Sequence, residues 1–112
     1  MRQVLLDTSF ILTAIKQRID FFEELEHRGF EIIIPEQVIR EIHGLKSLLA
    51  LKIIKMNKFR QIDIKQKEVD SGIIYYARSH PKTIIATLDD EIKRKIKNPK
   101  LVIRQKKKLE II

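Results

Sequence analysis

Cysteine is absent from the sequence, which excludes disulfide frameworks, zinc sites built on thiolates and cysteine nucleophiles. The three glycines form neither a G-x-G-x-x-G motif nor a P-loop, so a nucleotide-cofactor enzyme is not indicated. No apolar run approaches the roughly 20 residues that cross a bilayer, and the opening MRQVLLDTS reaches an aspartate too early for a signal peptide. Aromatic residues make up only 6% of the chain, so no platform for stacking bases is evident. We therefore expect a soluble, cytoplasmic protein without a membrane partner.

The residues that are present suit one folded unit with a basic end. Hydrophobic residues make up 44% of the 112-residue chain, which is enough for one core, and the length predicts a single domain over residues 1–112. Residues 1–91 contain 14 Lys or Arg and 14 Asp or Glu, whereas residues 92–112 contain 9 and 1, so the whole net charge of +8 lies in the last segment. A basic region of this kind suits a nucleic-acid partner, and a solvated Lys-rich tail explains the charge equally well.

Five short apolar runs, bounded by polar or turn residues, are predicted to be strands. They cover residues 4–6, 30–34, 59–64, 83–88 and 101–103. Several are continuously apolar, as strands covered on both faces of a parallel sheet are. Helical spacing lies between them, and we expect helices that end at Gly29, begin after Pro35, follow Gly44 and begin at Asp89 or Asp90. The pattern predicts an α/β fold, a three-layer α/β/α sandwich with a mainly parallel five-stranded sheet.

Four acidic residues stand beside apolar neighbours. Asp7 and Asp89 directly follow predicted strands, and ligands of open α/β sheets bind beyond the carboxyl ends of strands where the strand order reverses. Glu41 and Asp70 lie along apolar helical stripes, so we expect both to be partly buried. A buried carboxylate needs a cation, a metal or a cluster of donors, and the basic excess lies elsewhere in the sequence. A shared metal ion is the simplest common partner.

N-capping is the alternative explanation for three of these acids. Asp7, Asp70 and Asp89 each open a predicted helix, where an aspartate is favoured by hydrogen bonding and by the helix dipole. Glu41 lies in a helix interior and has no such explanation. Carboxylate oxygens suit Mg²⁺ or Mn²⁺, and ions held in this way can lower the pKa of a water and stabilise the charge on a phosphodiester undergoing displacement.

At these residues the sequence resembles the PIN-domain proteins, a family of metal-dependent ribonucleases. The matching segments are VLLDTSFIL at 4–12, EIIIPEQVIREI at 31–42, VDSGIIYYA at 69–77, TIIATLDDEIKRKI at 83–96 and LVIRQKKKLEI at 101–111. The resemblance implies a metal site formed by Asp7, Glu41, Asp70 and Asp89, with Thr8 and Ser9 lining it and Thr87 supporting it. It also implies that the first and fourth strands are adjacent. Asp90 falls outside the acidic set and is predicted to cap its helix, within reach of Thr87 and Arg94.

The predicted function is that of a divalent-metal-dependent endoribonuclease, a toxin or an RNA-processing nuclease. Its expected partners are RNA, an antitoxin or a ribosome-assembly protein, and a second copy of the chain in a homodimer. The basic residues that we expect to meet RNA phosphates are Lys93, Arg94, Arg104, Lys106, Lys107 and Lys108. The alternative is a non-catalytic RNA- or protein-binding module in which the acids only cap helices. The sequence matches a phosphate-accepting receiver domain only faintly, in QIDIK at 61–65.

Overall fold

A six-stranded sheet forms the centre of the computed structural model, which describes residues 1–112. The strands are β1 (Gln3–Leu6), β2 (Glu31–Pro35), β3 (Arg60–Ile62), β4 (Ile84–Ala86), β5 (Lys100–Arg104) and β6 (Lys108–Ile111). Their order is β3-β2-β1-β4-β5-β6, and every neighbouring pair is parallel except β5 and β6. The predicted adjacency of the first and fourth strands is confirmed. The strand order reverses between β1 and β4, which makes this the switch point of the sheet.

The predicted number of five strands is wrong, because the chain returns after β5 as the antiparallel edge strand β6. The KLEI sequence of β6 alternates charged and apolar residues, with Leu109 buried and Lys108 exposed. The turn before it, residues 105–107, contains no glycine, proline, asparagine or aspartate to mark a reversal of the chain. The segment that could be taken for a solvated tail is therefore the turn of a β-hairpin.

Six helices connect the strands. They are α1 (Thr8–Lys16), α2 (Phe21–His27), α3 (Glu36–Gly44), α4 (Leu48–Lys55), α5 (Val69–Ser79) and α6 (Asp90–Lys95). Gly29, with φ of 84°, follows the end of α2 in the left-handed conformation that glycine adopts readily at a helix end. The α1, α3 and α4 helices contact one another, and α5 contacts α6. Helices lie on both sides of the sheet, which confirms the α/β/α sandwich.

A single cluster of 27 buried hydrophobic residues lies between the layers. The residues of β1, β2 and β4 supply its centre: 4–6, 32–34 and 84–86 are all at most 4% exposed. These strands are covered on both faces, which explains their uninterrupted apolar sequence. Phe10 of α1 meets Phe21 of α2 edge to face, with ring centroids 5.8 Å apart. No helix is both long enough and apolar enough to cross a membrane.

Candidate functional site

Asp7 lies at the carboxyl end of β1 and is only 3% exposed. The Thr8 backbone N–H donates to its Oδ1 at 2.8 Å, so Asp7 also caps α1. The hydroxyls of Ser9 and Thr87 both reach Oδ2, at 3.1 and 2.6 Å. Burial raises the pKa of Asp7, and the three hydrogen bonds oppose that rise. The donors thus hold the carboxylate in a fixed orientation at the end of the strand.

The same two hydroxyls join the end of β1 to the end of β4. Thr87 Oγ1 accepts a hydrogen bond from the backbone N–H of Asp89 at 3.1 Å, and Ser9 Oγ accepts one from the N–H of Leu88 at 3.1 Å. The Asp7 backbone N–H itself donates to the carbonyl of Ala86 at 2.9 Å. These bonds bring the two strand-end acids together across the switch point.

Asp89 caps α6 with one of its two carboxylate oxygens. Oδ1 accepts from the N–H groups of Glu91 and Ile92 at 2.9 and 3.3 Å, while no hydrogen bond reaches Oδ2. The prediction that Asp90 caps this helix is wrong. Asp89, which follows β4, has the extended backbone conformation of an N-cap residue, with ψ of 113°. Asp90 is the first helical residue, and its 95% exposed side chain pairs instead with Lys93 at 3.1 Å.

Glu41 and Asp70 lie on an open cleft of about 570 Å³ between α3 and the start of α5. Both residues are exposed, so the prediction that they are partly buried is wrong. Leu45, four residues after Glu41 and on the same face of the helical pattern, lies beyond the end of α3 and is 59% exposed, so the apolar stripe does not continue past Glu41. Asp70 lies in the open first turn of α5, ahead of the buried Ile73. Asp70 does not cap α5 either, because Glu68 is the N-cap residue and makes no side-chain cap bond.

The four acids form one electrostatic group. Although Asp70 is exposed, the protein around its carboxyl group removes part of its hydration and so raises its pKa, and the negative charges of Asp89, Asp7 and Glu41 raise it further, in that order. The charge of Glu41 also contributes to the raised pKa of Asp7. None of the four takes part in an ion pair. The four acids therefore concentrate negative charge without forming direct ion pairs.

The donor set fits a hard divalent cation in charge and in atom type, since every candidate ligand is a carboxylate oxygen. No group of three or more acidic or histidine side chains is gathered closely enough to enclose an ion, so the acids line the edge without forming a closed coordination shell. Thr8 lies beside Asp7, and its Oγ1 is the one buried side-chain polar atom without a hydrogen-bond partner. The side chains of Ser9 and Thr87, in contrast, are both occupied by Asp7.

The predicted RNA-contacting residues fall in two places. Lys93 and Arg94 lie on α6, where Lys93 is half-buried and paired with Asp90. Arg104 ends β5 and pairs with Glu110 at 3.6 Å. Lys106, Lys107 and Lys108 are exposed on the hairpin and make no ion pair.

The hairpin projects past the edge at which the acids lie. Ala86, the last residue of β4, pairs with Leu101, and β5 continues three residues further to Arg104. At roughly 3.3 Å per residue, the hairpin extends about 10 Å beyond the end of β4. Because β1, β4 and β5 are parallel, this is the same edge as that of Asp7 and Asp89. The exposed lysines therefore stand beside the acidic edge rather than at the opposite end of the molecule.

Two basic residues on the cleft, Arg40 and Lys67, were missed by the sequence analysis. Arg40 precedes Glu41 in sequence, but the cleft forms only because the segment before α5 packs against α3. Gln37 fixes that contact: its Nε2 donates to Asp63 Oδ1 at 2.6 Å, and its Oε1 accepts from the Ile64 N–H at 3.3 Å. No local sequence signal reports such a tertiary contact.

A mostly parallel sheet with unpaired acids at its switch point defines an α/β protein with an acidic site at the carboxyl edge of the sheet. The family described as "PIN like domain" matches residues 4–108. The chain belongs to this PIN-like domain family, as the sequence resemblance predicted.

Relatives of known description agree with this family. "Ribonuclease VapC4" of Methanocaldococcus jannaschii is 30% identical, over 99% of this chain and 97% of that protein. "rRNA-processing protein fcf1" of Schizosaccharomyces pombe is 30% identical over 84% of this chain, which spans 53% of that longer protein. The "PIN domain endonuclease Utp24" has a solved structure similar to this one, with a TM-score of 0.84 and 27% identity over 97% of this chain and 90% of that one. The family therefore includes nucleases.

Proposed function

We propose that this protein is a divalent-metal-dependent endoribonuclease whose site is formed by Asp7, Glu41, Asp70 and Asp89. The main support is that Asp7 and Asp89 lie at the switch point without ion pairs, and that their charges and that of Glu41 add to the rise that desolvation causes in the pKa of Asp70 on the cleft. Charge of one sign without neutralising partners is costly to a fold, and it occurs most often where a cation or a reaction needs it. The similarity to a ribonuclease and to a PIN endonuclease supports the same reaction class.

Mg²⁺ or Mn²⁺ is the proposed cofactor, with the four carboxylates as its ligands. When bound, such an ion lowers the pKa of a water and stabilises negative charge on a phosphodiester. The chain itself prepares the ligands. Thr87 and Ser9 orient Asp7, and capping of α6 orients Asp89 while leaving its Oδ2 free of hydrogen bonds. Glu41 and Asp70 face the open cleft, through which substrate can reach the edge.

RNA is the proposed substrate, and the hairpin is its proposed point of attachment. The exposed Lys106, Lys107 and Lys108 stand beside the acidic edge, and lysines that neutralise phosphates bind nucleic acid with a strong dependence on salt. Arg94 on α6 and the ion-paired Lys93 and Arg104 complete the proposed contact set. We also propose that residues 1–112 act as one domain, because one core draws on residues from Val4 to Leu109, and that the protein works in the cytoplasm.

We also propose that the protein binds a protein partner. The partner is an antitoxin if the protein acts as a toxin, and a ribosome-assembly protein if it acts as an RNA-processing factor. Leu45, Leu48, Leu49 and Met56 are 59–77% exposed at and around α4. Exposed apolar side chains of this number mark contact surfaces. Lys46, Lys52 and Lys55 are exposed in the same segment, so an acidic partner surface suits it better than a second, equally basic copy in a homodimer.

The test is cleavage of single-stranded RNA by the purified protein with Mn²⁺, with Mg²⁺ and with EDTA. We expect cleavage with either ion and none with EDTA. Asp7→Asn and Asp89→Asn should abolish cleavage while circular dichroism shows a retained fold. Cleavage that is unchanged in both variants, or that persists in EDTA, would contradict the proposed site.

The non-catalytic binding module predicts a different result in the same experiment. It would bind RNA with a salt-dependent affinity in wild type and in both variants, and it would show no turnover with either ion. Binding without turnover under all metal conditions would therefore replace the nuclease proposal with this alternative.

A further inference from the structure

The cleft between α3 and α5 contains two cations that the acidic site does not use. Arg40 and Lys67 line the same 570 Å³ space as Glu41 and Asp70. Lys67 makes no ion pair. Arg40 pairs only with Glu36, one turn earlier on α3, and its side chain is 71% exposed. Exposed pairs of this kind hold their partners weakly, so both cations are available to a ligand.

Arg40 and Lys67 lie on the other side of the acidic edge from the basic hairpin. In the sheet order β2-β1-β4-β5, α3 follows β2 at one end and the basic hairpin follows β5 at the other. The acids Asp7 and Asp89 follow the two central strands, β1 and β4. Three strand spacings of about 4.8 Å separate β2 from β5, so the basic groups flank the acidic edge across roughly 14 Å. This arrangement places cations on both sides of the acids.

The acids create a need for such flanking groups. Glu41, Glu68 and Asp70 on the cleft repel the phosphates of any strand that approaches the edge. A substrate attached only at the hairpin would be pushed away from the cleft side. Two cations on that side would offset the repulsion and keep the strand in contact with the edge.

We propose that Arg40 and Lys67 hold a backbone phosphate of the RNA on the α3 side of the acids, so that a single strand runs from the hairpin across the acidic edge into the cleft. Both are positioning residues: they contact the substrate backbone away from the bond that is cleaved. The proposal rests on RNA being the substrate of the proposed function, but it concerns binding and does not require that cleavage occur. Exposed guanidinium and ammonium groups that are unpaired, or paired only at the surface as Arg40 is, suit phosphate oxygens.

The experiment measures binding of a fluorescent single-stranded RNA of about 12 nucleotides, a length within the range of known single-strand sites, by fluorescence anisotropy in EDTA at several salt concentrations. The test variant is Arg40→Ala with Lys67→Ala. Its control is Arg2→Ala with Lys58→Ala, which removes one Arg and one Lys, both exposed, from the opposite edge of the sheet. A second control, Arg40→Lys with Lys67→Arg, keeps both charges in the cleft.

We expect the test variant to bind more weakly and to lower the slope of log K against log salt by about 0.7, since the two cations hold one phosphate and each neutralised phosphate contributes about 0.7 for a single strand. Both control variants should keep the wild-type slope. An unchanged slope in the test variant, or an equal loss in the Arg2 and Lys58 control, would overturn the proposal. Failure of wild type to cleave RNA with Mn²⁺ would remove the proposed enzyme and leave this binding result standing, so the two failures are distinguishable.

Discussion

Replacing Thr87 by valine removes the hydroxyl that joins the two strand ends at the candidate site. Thr87 is fully buried, and its Oγ1 donates to Asp7 Oδ2 at 2.6 Å and accepts from the Asp89 N–H at 3.1 Å. Valine has the same shape, so the change removes hydrogen bonds without leaving a cavity. A hydrogen bond to a buried charged group contributes about 1.5–3 kcal/mol. We expect Thr87→Val to lower the free energy of unfolding by about 2–3 kcal/mol at neutral pH.

The loss of stability in Thr87→Val should depend on pH, because the missing hydrogen bond stabilises mainly the ionised form of Asp7. Burial holds the pKa of Asp7 above its ordinary value of 3.8 in the folded chain. The folded state therefore binds this proton more tightly than the unfolded state does, and Asp7 lowers stability as the pH rises from 3.8 towards its folded pKa. Without the Thr87 donor that pKa rises further. The difference between variant and wild type should thus be small near pH 4, grow as the pH rises, and become constant above the variant's folded pKa.

Urea denaturation at pH 4 and at pH 7.5 measures this difference. Thr83→Val is the matched control, because Thr83 lies immediately before β4 whereas Thr87 follows it. Thr83 is 5% exposed, and its hydroxyl makes no hydrogen bond with the protein and is not fully enclosed. The control should cost less than about 0.5 kcal/mol at either pH. An equal cost for the two valine variants, or a cost for Thr87→Val that is independent of pH, would refute the assigned role of Thr87.

Three further changes test other parts of the account. Thr8→Val removes a buried hydroxyl that has no partner, so the free energy of unfolding in urea should rise by about 1 kcal/mol; a loss of stability would mean that the hydroxyl does have a partner. Gly72→Ala places a Cβ 2.4 Å from Ile64 Cδ1 and should cost about 1–3 kcal/mol, part of which Ile64→Val should restore in a double-mutant cycle; two independent, additive effects would disprove the close approach. Asp70→Asn should raise stability at neutral pH by a few tenths of a kcal/mol, since the carboxyl is exposed, and the gain should disappear as the pH falls towards 3.8. The same variant should reduce the increase in Tm that Mn²⁺ gives to wild type, and an undiminished increase would exclude Asp70 as a ligand.

Continuous apolar runs predicted the buried parallel strands well, because strands such as β1 and β4 are covered on both faces and carry no polar residues. The edge strand β6 was missed because its turn lacks the usual residues. Gln105 and Lys106 have φ of 51° and 65°, a region that glycine and asparagine usually occupy in hairpins. Lysine in such a position costs local stability, which fits its proposed use in RNA binding.

The strand-end rule placed Asp7 and Asp89 at the carboxyl edge of the sheet, because the βα pattern indicates parallel strands. The adjacency of β1 and β4 came from the resemblance to the PIN-domain family, not from the pattern itself. Helical periodicity was a poor guide to the burial of Glu41 and Asp70. It identifies the face of a helix that points to the core, but α3 and the first turn of α5 open onto the cleft, where the core no longer covers them. Capping does not exclude ligand binding by Asp89, since one oxygen caps α6 and the other has no hydrogen bond.

The most direct test of the central claim compares Asp70→Asn with Asp90→Asn in the initial rate of RNA cleavage with Mn²⁺. Both acids are exposed, both lie in the first turn of a helix, and neither provides the cap bond, so both variants should fold. Asp90 lies outside the proposed ligand set and pairs with Lys93. The account predicts that Asp70→Asn lowers the rate by at least about a hundredfold, the scale on which loss of a group that supports a metal reduces activity, and that Asp90→Asn keeps the wild-type rate. Equal rates for the two variants would contradict an acidic site centred on Asp7, Glu41, Asp70 and Asp89.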